Sequence, residues 1–137
     1  MSTELETSYG GVVLRGDELL VITPAGKRVT GLPKGGPVRG ESPEETAVRE
    51  VREETGINAK VRERLGDVRY WYRRDGRKVH KTVTFFLCDF VEGSTDDHDH
   101  EVDEARWIPL ADARDVLSYS GERALVSAAL SKLSSGR

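Results

Sequence analysis

Three carboxylates stand within the stretch "REVREETG", as Glu50, Glu53 and Glu54. Like charges at that spacing repel on a helix, so their company needs a reason. One reading is a solvated acidic face balanced by Arg49 and Arg52, where each ion pair contributes only a few tenths of a kcal/mol. The other is a divalent-cation site. Mg²⁺ and Mn²⁺ take carboxylate and water oxygens, and a bound cation turns mutual repulsion into a requirement. Several carboxylates around such an ion commonly serve phosphate chemistry, because the ion bridges to substrate oxygens.

The element that must carry these side chains is well signalled. Ser42 suits an N-cap, Pro43 the first helical position, and Glu45 closes a Ser-x-x-Glu capping box; Gly56 suits the C-terminal stop. At about 100° per residue, the three glutamates share roughly a third of the circumference. Ala47, Val48 and Val51 occupy the neighbouring arc, the side expected to pack on a sheet.

Upstream, "YGGVVLRGDELLVIT" reads as two strands around the turn Arg15-Gly16-Asp17, followed by a Gly- and Pro-rich loop from Pro24 to Gly40. A loop that long inside a compact domain is usually functional. Downstream, "NAKVRERLGDVRYWYRR", with a break expected near Gly66, and "KVHKTVTFFLCDFV" read as a hairpin turning at "RDGRK". An acidic loop, "EGSTDDHDHEVDE", leads to the short strand "ARWIPL". A short and then a longer helix close the chain, with Leu125, Ala128, Ala129 and Leu133 on one apolar face and a polar tail expected to fray from about residue 132. Strands, loop, helix, strands and helices in that order predict a mixed α/β domain, not a regular βαβ alternation.

The spacing around the acidic helix is specific. Gly35, five residues, Glu41, seven residues, then Arg49-Glu50-Val51-Arg52-Glu53-Glu54-Thr55-Gly56-Ile57 resembles the Nudix box, Gly-x5-Glu-x7-Arg-Glu-apolar-x-Glu-Glu-x-Gly-apolar. Every specified position matches across residues 35–57. The "GGVVL" strand, the "ARWIPL" segment and the closing helix resemble their counterparts in that family.

The resemblance implies a single Nudix domain over residues 1–137, an α/β/α sandwich around a mixed β-sheet. It implies that Glu50, Glu53 and Glu54 bind Mg²⁺ or Mn²⁺. Arg49 would hold a glutamate through charge-assisted hydrogen bonds. Gly35 would allow a tight loop near metal or phosphate, and Glu41 would support the loop or the metal shell. It also implies hydrolysis of a diphosphate linked to another moiety, with a carboxylate taking the proton from the attacking water. In MutT-like members a glutamate in the loop before the tryptophan strand reaches the metals or has that role. Glu101, six residues before Trp107, suits that place, with Glu104 and Asp103 as rivals and a helix glutamate such as Glu53 as the fallback.

The stretch "GLPKGG" is most like the branch that hydrolyses dinucleoside polyphosphates. A MutT-like enzyme on oxidised nucleoside triphosphates, a nucleotide-sugar or diphosphoinositol pyrophosphatase, and a non-catalytic nucleotide sensor are the alternatives. Retention of all the box glutamates favours catalysis. Two features depart from many relatives: Thr30 and Gly31 stand where an aromatic is frequent, and Gly36 stands where histidine is. Lys34 is a candidate phosphate contact. The basic, aromatic hairpin offers Tyr72, His80 and Lys81 as substrate contacts, since a polyanion is drawn to positive charge and a base stacks on an aromatic. Charges out and aromatics in is the plainer reading of the same hairpin, and solvation the plainer reading of His98 and His100.

Composition bounds the partners. The 137 residues carry 33% charged side chains and a formal net charge of −3, which argues against nucleic acid as a partner. Cys88 is the only cysteine, so no intrachain disulfide forms. No apolar run approaches the roughly 18 residues of a membrane span, and the opening residues lack a leader's basic start and apolar stretch. The expectation is a cytoplasmic monomer or homodimer acting on a small nucleotide or polyphosphate, with no membrane or nucleic-acid partner.

Overall fold

A computed structural model describes residues 3–135. Its strands are β1 (Glu4–Arg15), β2 (Glu18–Pro24), β3 (Lys34–Gly35), β4 (Ile57–Arg74), β5 (Arg77–Gly93) and β6 (Val102–Pro109). The sheet runs β4-β5-β1-β2-β6, with the short β3 also paired to β1. The helices are α1 (Pro43–Thr55), α2 (Ala113–Val116) and α3 (Ser120–Ser135). β1 and β5 are parallel, from Glu4↔Val79 to Leu14↔Asp89, and the other pairings are antiparallel. The sheet is therefore mixed, as expected.

Strand alternation divides the core into two layers. Val12, Leu19, Val21, Val83, Phe85 and Leu87 face α2 and α3, where they pack with Leu117, Leu125 and Val126. Val13, Leu20, Phe86 and Cys88 face α1 and meet Ala47 and Val51. One sheet with an apolar set on each face and a helix layer over each makes an α/β/α sandwich.

α1 follows its sequence signals. The Ser42 side chain accepts from Glu45 N, Glu45 accepts from Ser42 N, and Gly56 ends the helix at φ 78°. Glycine is required there twice over: the backbone is left-handed, and a Cβ would overlap the Ser94 carbonyl. The segment after β5 thus lies against the end of α1, held also by Asp99 N donating to Glu53 O at 2.9 Å.

Four expectations change. β1 begins at Glu4, ahead of the apolar run, because the long β5 supplies parallel partners that early. Near Gly66 the chain does not break; β4 continues through a register shift between Arg64 and Gly66. β6 starts at Val102, so Asp103 and Glu104 are strand residues. α3 stays helical to Ser135, and its buried face holds Val126 while Ala128 is exposed. Among the described residues no helix is long and apolar enough to cross a membrane.

Candidate active site

The carboxylate helix is organised by Arg49. Its Nε donates to Glu41 Oε2 at 2.6 Å and its Nη2 to Glu41 Oε1 at 3.1 Å and to the Gly36 carbonyl at 2.8 Å. Its Nη1 donates to Glu50 Oε1 at 2.9 Å and Glu53 Oε2 at 3.0 Å. One guanidinium thus joins the loop before the helix to two of the three helix glutamates. Glu41 also accepts from Val38 N and Thr46 Oγ1. The Arg49 guanidinium, foremost, holds the Glu41 carboxyl down at about 2. Glu41 supports the loop by anchoring Arg49.

The three glutamates differ in surroundings. Glu53 is open to solvent, Glu50 is half-buried, and Glu54 is buried, accepting from Lys34 N at 3.0 Å. Burial, together with the nearby charges of Glu50 and Asp99, pushes the Glu54 carboxyl up to about 8. Burial also raises Glu50, with the charges of Glu53 and Glu101 adding to it. Gly35 is extended and paired with Tyr9, not in a tight turn. Glycine is needed there for space, because a Cβ would overlap the Glu50 carboxyl.

Among the described residues no three His, Cys, Asp or Glu side chains already stand in a metal-holding arrangement. The donor set nonetheless fits a hard divalent cation: it is all oxygen. Two of its members carry protons more tightly than usual, mainly because they are buried.

A cleft of about 790 Å³ connects this end to the far side of the β4–β5 hairpin. Glu54, Glu101 and Lys34 line it near α1. Glu101 arrives on a turn in which Asp99 Oδ1 accepts from Glu101 N at 3.0 Å and Glu101 O accepts from Ala25 N at 3.0 Å. The rivals lie elsewhere: Glu104 pairs with Arg106 at 2.9 Å, and Asp103 accepts from Gly26 N. Asp99 is a residue that sequence reasoning passed over; its place between Glu53 and Glu101 depends on how the loop folds back.

At the other end Lys81 and Tyr72 line the cleft, but both are engaged. Lys81 Nζ donates to Glu6 Oε1 at 2.7 Å and the Tyr72 hydroxyl to Glu6 Oε2 at 2.6 Å, with Arg74 on the same oxygen. Those donors, Lys81 first, hold the Glu6 carboxyl down at about 2. Arg69 and Tyr70 line this part as well. His80 is not in the cleft. It pairs with Trp71 across the hairpin, and the two rings stack with centroids 4.4 Å apart on the other face. His98 lies in the acidic loop, its Nδ1 donating to the Asp99 carbonyl at 2.8 Å. Cys88 is packed beneath α1, and burial pushes its thiol up to about 12.

The middle of the cleft holds two residues not foreseen. Glu122 at the start of α3 is 3% exposed, and its Oε1 accepts from Leu32 N at 3.1 Å. Burial pushes its carboxyl up to about 7. Tyr119 stands beside it on the cleft wall. A lone glutamate three residues into a helix offers no motif, so only packing reveals it.

Residues 5–128 match the NUDIX domain family. The chain is 41% identical to MutT4 of Mycobacterium tuberculosis over 94% of its length and 56% of that protein's. It is 35% identical to the 8-oxo-(d)GTP phosphatase of Mycolicibacterium smegmatis over 67% of its length and 27% of that protein's. It therefore spans about half, or less, of these relatives. The fold overlays that of the C. elegans Ap4A hydrolase binary complex with a TM-score of 0.75, at 23% identity, covering 95% of this chain and 98% of that one.

Proposed function

The chain belongs to the Nudix family, and on that premise we propose that it is a divalent-metal-dependent pyrophosphohydrolase of nucleoside polyphosphates, with MutT-type nucleoside triphosphates as first substrates. The observation that carries this is the single cleft running from the carboxylate helix, past Lys34, to the aromatic pocket of Tyr70 and Tyr119. A nucleotide has the same order of parts: phosphate chain, sugar and base. The name of one relative, an 8-oxo-(d)GTP phosphatase, agrees with a triphosphate.

Glu50, Glu53 and Glu54 would hold the ion. When bound, it supplies positive charge for the phosphate oxygens and for water activation. Arg49 orients Glu50 and Glu53 from behind. Lys34 meets the phosphate chain. Glu101, outside the helix, takes the proton of the attacking water as its oxygen bonds to phosphorus and the bridging P–O bond breaks. The leaving phosphate carries the electron pair away.

A second reading, hydrolysis of dinucleoside polyphosphates, draws on the cations Arg69, Arg74 and Lys81 beyond the aromatic pocket. The test is a hydrolysis panel with Mg²⁺ and with Mn²⁺: normal and oxidised nucleoside triphosphates, diadenosine polyphosphates, ADP-ribose and diphosphoinositols, with products identified. Triphosphates should lead by kcat/KM, and chelation should abolish turnover. Diadenosine polyphosphates in the lead would favour the second reading, and ADP-ribose in the lead would sink both.

A further inference from the structure

Glu122 has no part in the chemistry described above, yet it is a buried carboxyl lining the cleft. Its Oε1 is engaged by Leu32 N, whereas Oε2 has no protein partner among the described residues. No buried side-chain polar atom lacks a partner among them, so Oε2 is reached from the cleft. Beside it stand Tyr70 and Tyr119, which remain 38% and 45% exposed. Both phenols feel the Glu122 charge, which places the three side chains together, with Lys34 near Glu122 and Lys81 near Tyr70. Gly31 leaves the room: a Cβ there would lie 3.3 Å from Glu122 Oε1 and 3.5 Å from the Tyr119 ring.

We propose that Glu122 selects the nucleobase, accepting hydrogen bonds from the N–H edge of a guanine-type base stacked on Tyr119 and Tyr70. The inference rests on the nucleotide reading above. Exposed aromatic faces bind any base, so they give position without choice. Choice falls to Glu122, the buried polar side chain beside them. Ionised, as it is above a pH of about 7, the Glu122 carboxylate only accepts. Guanine presents two adjacent donors, N1–H and the 2-amino group. Adenine and cytosine set a ring nitrogen acceptor beside their amino group, which a carboxylate repels. Uracil and thymine offer one donor between two carbonyls. A site built to hydrogen-bond a substrate rejects analogues that leave its polar group unpaired.

The test compares GTP with ATP in wild type and Glu122→Gln, with GDP and ADP binding measured by calorimetry. The amide keeps an oxygen for Leu32 N but adds a donor. Wild type should favour guanine by roughly 10-fold or more in kcat/KM, and Glu122→Gln should lose that preference through KM with kcat at saturation retained. Tyr119→Ala should raise KM for both bases alike. A wild type indifferent to the base, or a folded Glu122→Gln with the same preference, overturns the proposal. Tighter GDP than ADP binding that depends on Glu122, without hydrolysis of either triphosphate, keeps the proposal and removes the hydrolase reading. If neither diphosphate binds and neither triphosphate is hydrolysed, both fall.

Discussion

Chemistry at the level of single residues turns on which carboxylates are bound and which are free. Arg49 ties Glu41, Glu50 and Glu53 together, and Glu54 is held by Lys34 N, so none of the box acids is an unencumbered base. Among the described residues, Glu101 lines the cleft with only its backbone hydrogen-bonded to neighbours. Glu101→Gln should therefore lower kcat by about 10²-fold, the scale of a lost general base, with an unchanged melting temperature. Glu104→Gln should do far less, since that side chain pairs with Arg106 on β6. Measuring kcat against pH for both variants decides between them. A larger loss at Glu104 would move the role there, and no loss at either would return it to the helix.

At the level of elements, α1 is fastened on two sides for different ends. Its inner face, with Val51 fully buried beside Val13, Leu20 and Phe86, belongs to the fold. Val51→Asp should cost several kcal/mol, because it buries an unpaired carboxylate, and should be read as a large fall in melting temperature. Its outer edge meets β3, where Gly35 lies over Glu50. Gly35→Ala pushes on the far end of a flexible side chain, so the fold should survive with little change in melting. The Mg²⁺ concentration for half-maximal activity should rise by about 10-fold or more, as for outer-shell damage at a metal site. Unaltered Mg²⁺ dependence would show that Glu50 does not hold the ion.

For the whole molecule, two buried carboxyls tie stability to pH. Glu54 rises to about 8 and Glu122 to about 7, each mainly through burial. The folded chain thus binds protons more tightly than the unfolded chain, where a carboxyl titrates near 4.5. Their stabilising contribution is complete below about 4.5 and is lost as pH rises through 7 and 8. Without divalent cation, the melting temperature should fall by several degrees between pH 5.5 and pH 8, the scale of 1–2 kcal/mol in a domain this size. Mg²⁺ should restore more stability at pH 8 than at pH 5.5, since it binds the ionised form. Glu122→Gln should flatten part of the slope. A slope of opposite sign in the metal-free protein would refute the burial of both groups.

Local signals in the sequence determined α1 from cap to stop, the Asp75-Gly76 hairpin turn and the alternating strands, because capping, periodicity and turn chemistry act over a few neighbours. They also placed Glu50, Glu53 and Glu54 on one helical arc, since the 3.6-residue turn alone does that. The tertiary structure decided what those residues meet. That Glu41 anchors Arg49, that Gly35 is small to clear Glu50, and that Asp99 sets the turn to Glu101 all depend on contacts between separate segments. The same holds for His80, turned away from the cleft by the β4–β5 register, because strand side chains alternate and one step in pairing changes the face. Glu122 and Leu32 are 90 positions apart, joined only because α3 lies across the sheet beside the loop before β3. No period or motif spans that distance; packing of the two layers does.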